Sequence, residues 1–214
     1  MSSDDTQLLV ALDVDRTLFD TSRFVELLYD RLLDHGVEKP TIDAMRDKEL
    51  SSRGSSFDVV SSLATQKVLP SVEELHSYAT ELLYEGVSEL IGSLVHAKIP
   101  FVLLTYGSVV AQSYKISLIE HALGRSLPFH ITSEPNKAAW LEDIESNGSF
   151  AIALDAIDHT VVARSVVLVD DKSSNLQTSH PLIYPILVNN MSSTNHAEKG
   201  IAIKNVWDAI QSYI

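Results

Sequence analysis

The 214-residue sequence contains no cysteine at all. That removes disulfides, thiolate nucleophiles and thiolate zinc sites together, and it fits a reducing compartment. Cations are also scarce: 16 Lys and Arg stand against 29 Asp and Glu, a formal charge of −13. A chain so acidic lacks the cationic surface that non-specific binding to nucleic acid or to anionic membranes requires. No apolar run exceeds strand length, well short of the roughly 20 residues that span a bilayer. The opening "MSSDDTQ" is acidic and polar, unlike the basic, apolar head of a secretory signal, so a cytoplasmic protein is expected. P-loop, G-x-G-x-x-G and G-x-S-x-G motifs are missing, and the eight histidines show neither HxH nor HExxH spacing. Nucleotide-loop, serine-hydrolase and histidine-metal chemistry therefore have no support.

What is present is a chain of ordinary globular composition, 45% hydrophobic, of a length suited to one substantial domain with a smaller inserted subdomain. "QLLVALDV" (7–14) reads as a buried strand that runs into Asp13, with Asp15 two residues on. Residues 21–82 read as helical. "RFVELLYDRLL" repeats apolar residues at helical spacing, with Gly36 and Pro40 punctuating its end. A loop is expected near Gly54. A long periodic stretch runs over 71–95, opened by a Ser71/Glu74 capping box, with Gly86 as a break inside it. Arg46, Lys48 and Arg53 read as ordinary surface charge ahead of any role in meeting a substrate's second anionic group.

From Pro100 the pattern alternates. Strands are expected at "PFVLLTYGS", "FHITSE" (129–134), "SVVLVDD" (165–171) and "YPILVNN" (184–190), with helices between them and a closing helix at "NVWDAIQSYI". Residues 148–164 fit either a strand or a helix, and 192–200 read as a loop. Alternation of this kind predicts an α/β fold: a Rossmann-like open parallel sheet with helices on both faces, plus an α-helical cap subdomain. In such sheets ligands bind beyond the carboxyl ends of the strands. That rule collects Asp13 and Asp15, Thr105, Lys137, and Asp170 with Asp171 at one edge. Carboxylates so crowded need a cation, and a hard divalent ion such as Mg²⁺ suits oxygen ligands. The threonine hydroxyl and the lysine suit a phosphate oxygen, so phosphoryl transfer is the reaction class indicated.

"LDVDRTLFDT", "FVLLTYGS", Lys137 and "VVLVDDKSSNL", in that order and each after an apolar strand, resemble the haloacid dehalogenase-like hydrolase superfamily. The first segment is similar to that family's DxDGTLxDT opening. The resemblance implies a core of 1–20 and 83–214, with 21–82 as a helical cap. It implies Asp13 as the nucleophile that is phosphorylated and Asp15 as general acid/base. Mg²⁺ would lie on Asp13, the backbone carbonyl of Asp15, and Asp171, with Asp170 as alternative or water-mediated ligand. Thr105 with the backbone near Tyr106 and Gly107 would bind phosphate, and Lys137 would neutralise charge on Asp13 and the phosphoryl group. An acid at position 15 favours a phosphatase or phosphomutase over a dehalogenase within this family. Three departures stand out: Arg16 where glycine is commonest, Lys137 in "EPNKAAWL", and Asn175 where a further acid often lies. The expected activity is Mg²⁺-dependent hydrolysis of a small phosphorylated metabolite by a monomer or homodimer. A phosphomutase using the same nucleophile and a catalytically idle metabolite-binding member of the fold are the alternatives.

Overall fold

The computed structural model describes residues 5–51, 56–155, 158–190 and 200–214. The loop expected near Gly54, the cation Arg53 and most of the 192–200 loop lie outside the described residues, as does the side chain of Lys48.

By compactness the chain divides into two units. The first comprises 1–18, 84–106 and 126–214 and is built on a sheet. Its central strand β1 (Asp5–Leu12) is followed along the chain by α1 (Thr21–Asp34), α2 (Lys39–Ser51), α3 (Ser56–Thr65) and α4 (Val72–Leu75) of the second unit. The sheet unit resumes with α5 (Val87–His96) and β2 (Phe101–Tyr106), and α6 (Val109–Leu123) returns to the second unit. Then come β3 (Phe129–Thr132), α7 (Lys137–Ile144), β4 (Glu145–Ser146), β5 (Ser149–Ala153), β6 (Thr160–Asp170), β7 (Ile183–Leu187) and α8 (Val206–Gln211).

Strand order is β3-β2-β1-β6, with β7 parallel to the second half of β6 and the antiparallel pair β5-β4 on its first half. Of the 148–164 segment, for which the sequence allows strand or helix, Ser149–Ala153 form β5 and the residues from Thr160 onward begin β6. The latter begins at Thr160, ahead of the expected 165, because its first residues pair with β5. Leu9, Val10, Ala11 and Leu12 are all fully buried, as expected of a strand covered on both faces. Alternate residues Leu9, Ala11, Val102, Leu104, Val166 and Leu168 form one face, against which α7 sets Ala138 and Leu141.

The second unit, 19–83 with 107–125, is helical and larger than the 21–82 segment, since it includes α6. Tyr114 on α6 donates its hydroxyl hydrogen to the Pro70 carbonyl at 2.8 Å, and the Ser61 and Ser108 hydroxyls meet at 2.8 Å. Arg46 pairs with Glu26 at 2.7 Å and lies over the Tyr29 ring, so it is occupied within its own unit. Two punctuation marks act differently from expectation. Pro40 opens α2 instead of closing α1, since proline's missing N–H costs nothing in a first turn. The capping box of Ser71 and Glu74 forms, but it leads only into the short α4 and a 3-10 turn over His76–Leu82.

Gly86 then separates that turn from α5. It has φ +97, and a Cβ placed on it would stand 2.6 Å from both Cα and Cβ of Lys204. Any side chain meets a disfavoured backbone angle and a steric clash together. Gly86→Ala should destabilise the protein by about 2–4 kcal/mol, and thermal unfolding should show a Tm lower by about 5–10 °C. An unchanged Tm would contradict this account of the position.

Candidate active site

The chain moves to one side of β1 through β2 and β3, and to the other through β6 and β7, so the order reverses between β1 and β6. A crevice opens at such a reversal, beyond the carboxyl ends of the strands. Register places the acids there: Leu12 is opposite Val169, so Asp13 and Asp170 leave adjacent strands side by side. The Asp13 N–H closes the pair by donating to the Val169 carbonyl at 2.9 Å.

Lys137 binds them. Its Nζ donates to Asp13 Oδ1 at 2.6 Å and to Asp170 Oδ2 at 2.5 Å, with all three side chains buried. A lysine at the first residue of a helix opposes the helix dipole, and burial of an ammonium is costly; two contacting carboxylates offset both. Packing of α7 on the sheet through Ala138 and Leu141 brings Lys137 to this point, and Asn136 caps the helix by accepting from the Ala139 N–H at 3.1 Å.

Asp170 is held from several sides. Oδ1 accepts from the Lys172 N–H at 2.8 Å, and the Asn175 amide reaches both carboxylate oxygens at 3.1 Å. Asn175 thus spends its amide on fixing an acid. Asp171 is half-exposed, and Asp13, Asp170 and Asp171 can each offer one oxygen such that the three lie within 4.8 Å of one another. Three carboxylates facing one ammonium leave a formal charge of −2.

The protonation equilibria reflect that imbalance. Burial pushes the Asp13 carboxyl up to about 7; Lys137 pulls it down, and Asp170, Asp15 and Asp171 raise it again. Burial, then Asp170, raises Asp171 to about 6, with Lys172 and Arg16 opposing. For Lys137, burial favours the neutral amine, but Asp13 and Asp170 outweigh it and hold the ammonium above its ordinary range.

Of the other sequence-predicted residues, Asp15 follows β1, and Thr105 and Tyr106 end β2. Asp15 lies outside the three-carboxylate group, yet close enough to act on Asp13 electrostatically. Thr105 is buried near the end of β2, and its carbonyl accepts from the Thr132 hydroxyl at 3.3 Å. Tyr106 closes β2 and is exposed, and Gly107 follows with φ +143.

Sequence reasoning missed Thr17. A turn over 14–18, closed by the Leu18 N–H on the Val14 carbonyl at 3.1 Å, returns the Thr17 hydroxyl to Asp13 Oδ2 at 2.8 Å. Each Asp13 oxygen thus has a donor, Lys137 on one and Thr17 on the other, so the carboxylate plane is fixed. The i, i+4 spacing of Asp13 and Thr17 in "LDVDRTLFDT" was the available signal.

No protein-family model matches this chain, and no curated protein sequence does. Solved structures do. A protein assigned as a haloacid dehalogenase-like hydrolase from Burkholderia xenovorans LB400 superposes with TM-score 0.61 at 16% identity, over 97% of this chain and 98% of that one. One from Thermotoga maritima, assigned as a beta-phosphoglucomutase, gives 0.52 at 13% identity over 98% and 100%. CbbY from Rhodobacter sphaeroides, in complex with phosphate, gives 0.51 at 13% over 94% and 96%. These similarities extend over nearly the whole length of both partners, and the chain has the fold of the haloacid dehalogenase-like hydrolases.

Proposed function

We infer that this protein is a Mg²⁺-dependent phosphatase of the haloacid dehalogenase-like superfamily, acting on a small phosphorylated metabolite through a phospho-aspartyl intermediate on Asp13. The observation that carries the inference is the Lys137 ammonium, buried between Asp13 and Asp170 with Asp171 beside them. The presence of phosphate in the CbbY structure supports a phosphate ligand for this fold.

The donor set fits Mg²⁺: the ion prefers oxygen ligands at about 2.0–2.1 Å, and oxygens of Asp13, Asp170 and Asp171 within 4.8 Å of one another are close enough for one ion to be shared among acids of this group. A divalent charge also cancels the excess of −2. Asp13 and Asp171 would hold the ion with the backbone carbonyl of Asp15. Asp170 serves better as an anchor, because both its oxygens already accept from Lys137, Lys172 and Asn175. The ion, when bound, supplies charge stabilisation to the phosphoryl oxygens.

The chain's own residues do the rest. Lys137 and Thr17 fix the Asp13 carboxylate, so its attack on phosphorus needs little reorganisation. The phosphorus–oxygen bond to the leaving group breaks as the Asp13–phosphorus bond forms, and Asp15 donates its proton to the departing oxygen. Asp15, now a carboxylate, takes a proton from water as that water attacks phospho-Asp13, which releases inorganic phosphate and restores both acids. General acid–base assistance of this kind contributes about 10²–10⁴ in rate. Thr105 and the backbone around Tyr106 and Gly107 bind the phosphoryl oxygens, and Lys137 neutralises the charge that builds on them.

Two outcomes are expected. Wild-type protein should release phosphate from members of a broad phosphoester panel with Mg²⁺, and folded Asp13→Asn should lose at least about 10³-fold of that rate; full activity in the variant would contradict the assignment. The second concerns pH. Asp13 and Asp171 have folded-state pKa values of about 7 and about 6, above the ordinary 3.8, so folding disfavours their ionised forms. The stability they contribute is complete below about pH 4 and lost as pH rises through 6 and 7. Mg²⁺ binds the ionised forms, so adding it to chelator-treated protein should raise Tm more at pH 7.5 than at pH 5. An equal or larger gain at pH 5 would contradict this electrostatic picture.

A further inference from the structure

Arg16 has φ +63, a left-handed conformation that glycine adopts freely and arginine does not. Something must hold it there. The side chain of Asn190, 174 residues away, donates through Nδ2 to the Arg16 carbonyl at 3.1 Å and to the Thr17 carbonyl at 2.8 Å. Its Oδ1 accepts from the Ile203 N–H at 3.0 Å. That last donor fixes which end of the amide is oxygen, so the amino group must face the two carbonyls. Asn190 itself is on a firm base just past β7. The 200–203 segment runs beside 187–190, with the Ile201 N–H on the Leu187 carbonyl at 2.9 Å and the Asn189 N–H on the Ile201 carbonyl at 2.8 Å.

The two carbonyls that Asn190 grips lie within the turn that returns Thr17 to Asp13. Given the phosphatase reading above, we propose that Asn190 is a positioning residue. It clamps Arg16 in the left-handed conformation and thereby holds the Thr17 hydroxyl on Asp13 Oδ2, so that the nucleophilic carboxylate is aimed. The clamp also explains how this loop carries arginine at a position where the backbone favours glycine. Without the amide, residue 16 would relax toward negative φ, and the Thr17 hydroxyl would swing off Asp13. Substrate capture by Lys137 and Thr105 would be little affected, so the loss falls on kcat more than on KM.

The prediction is specific because glycine needs no clamp. Using p-nitrophenyl phosphate with Mg²⁺, Asn190→Ala should lower kcat by about 10- to 100-fold with KM within about threefold of wild type. In the Arg16→Gly background, the same substitution should cost less than about threefold relative to Arg16→Gly alone. If Asn190→Ala does not fold, Asn190→Leu takes its place: it has a similar size and branching and lacks the donor, and the same background dependence is expected. Equal losses in the two backgrounds, or no loss in either, would overturn the clamp. Should wild-type protein release no phosphate, the phosphatase reading fails, and the clamp is then judged by thermal unfolding of the same four proteins. The Tm drop from removing the Asn190 donor should be larger with arginine than with glycine at position 16, and equal drops would overturn it.

Discussion

The ion triad of Asp13, Lys137 and Asp170 is the constraint around which this sheet edge is arranged. A buried ammonium is tolerable only between carboxylates, and two buried carboxylates side by side are tolerable only around a cation. Neither strand end could carry its acid without α7 delivering Lys137 at its first turn. Helix packing and site chemistry are therefore one requirement: Ala138 and Leu141 against the sheet determine where the ammonium sits. The triad is nevertheless incomplete in charge. Asp171 adds a third carboxylate, and the elevated pKa values of Asp13 and Asp171 express the demand for a further cation.

Around the triad the residues differ in how firmly they are held. Asp170 is tied by lysine, backbone and amide, the most firmly held of the three carboxylates. Asp13 is tied at one donor per oxygen, enough to set its plane while leaving lone pairs for reaction. Asp171 is the more exposed acid and the one best suited to an exchangeable ion. The three adjacent carboxylates thus differ in how tightly they are held, and a single pair of neighbouring strands provides that difference.

Much of this was legible in the sequence because it is written in strand ends. Apolar runs that stop at Asp13, at Thr105 and at Asp170 identify parallel strands, and parallel strands bring their carboxyl ends together regardless of the loops between them. Lys137 was legible from order alone, since "EPNKAAWL" has no distinctive setting. The helical unit was less readable. The periodic stretch over 71–95 breaks at Gly86 as expected, but its first part is a four-residue helix and a 3-10 turn instead of a longer helix, because periodicity of apolar residues does not separate the two kinds of turn. β5 escaped assignment because its five residues, SFAIA, are short and place small alanines on the exposed side, so no apolar–polar alternation shows. Asn190 could not be found by sequence: Arg16 and Thr17, whose carbonyls it binds, are more than 170 residues away, and one asparagine after a strand carries no local signature. Arg16 stands where the resembled family most often has glycine, and its φ of +63 is the physical reason that position favours glycine.

The central claim is that the carboxylate fixed by Lys137 and Thr17 is the group that takes the phosphoryl. Rapid acid quenching during turnover, followed by peptide mass mapping, tests it most directly. The account predicts a transient phosphate on the peptide containing Asp13, localised to that residue. Sustained turnover with phosphate on another residue, or with no phosphorylated protein at any quench time, would contradict it.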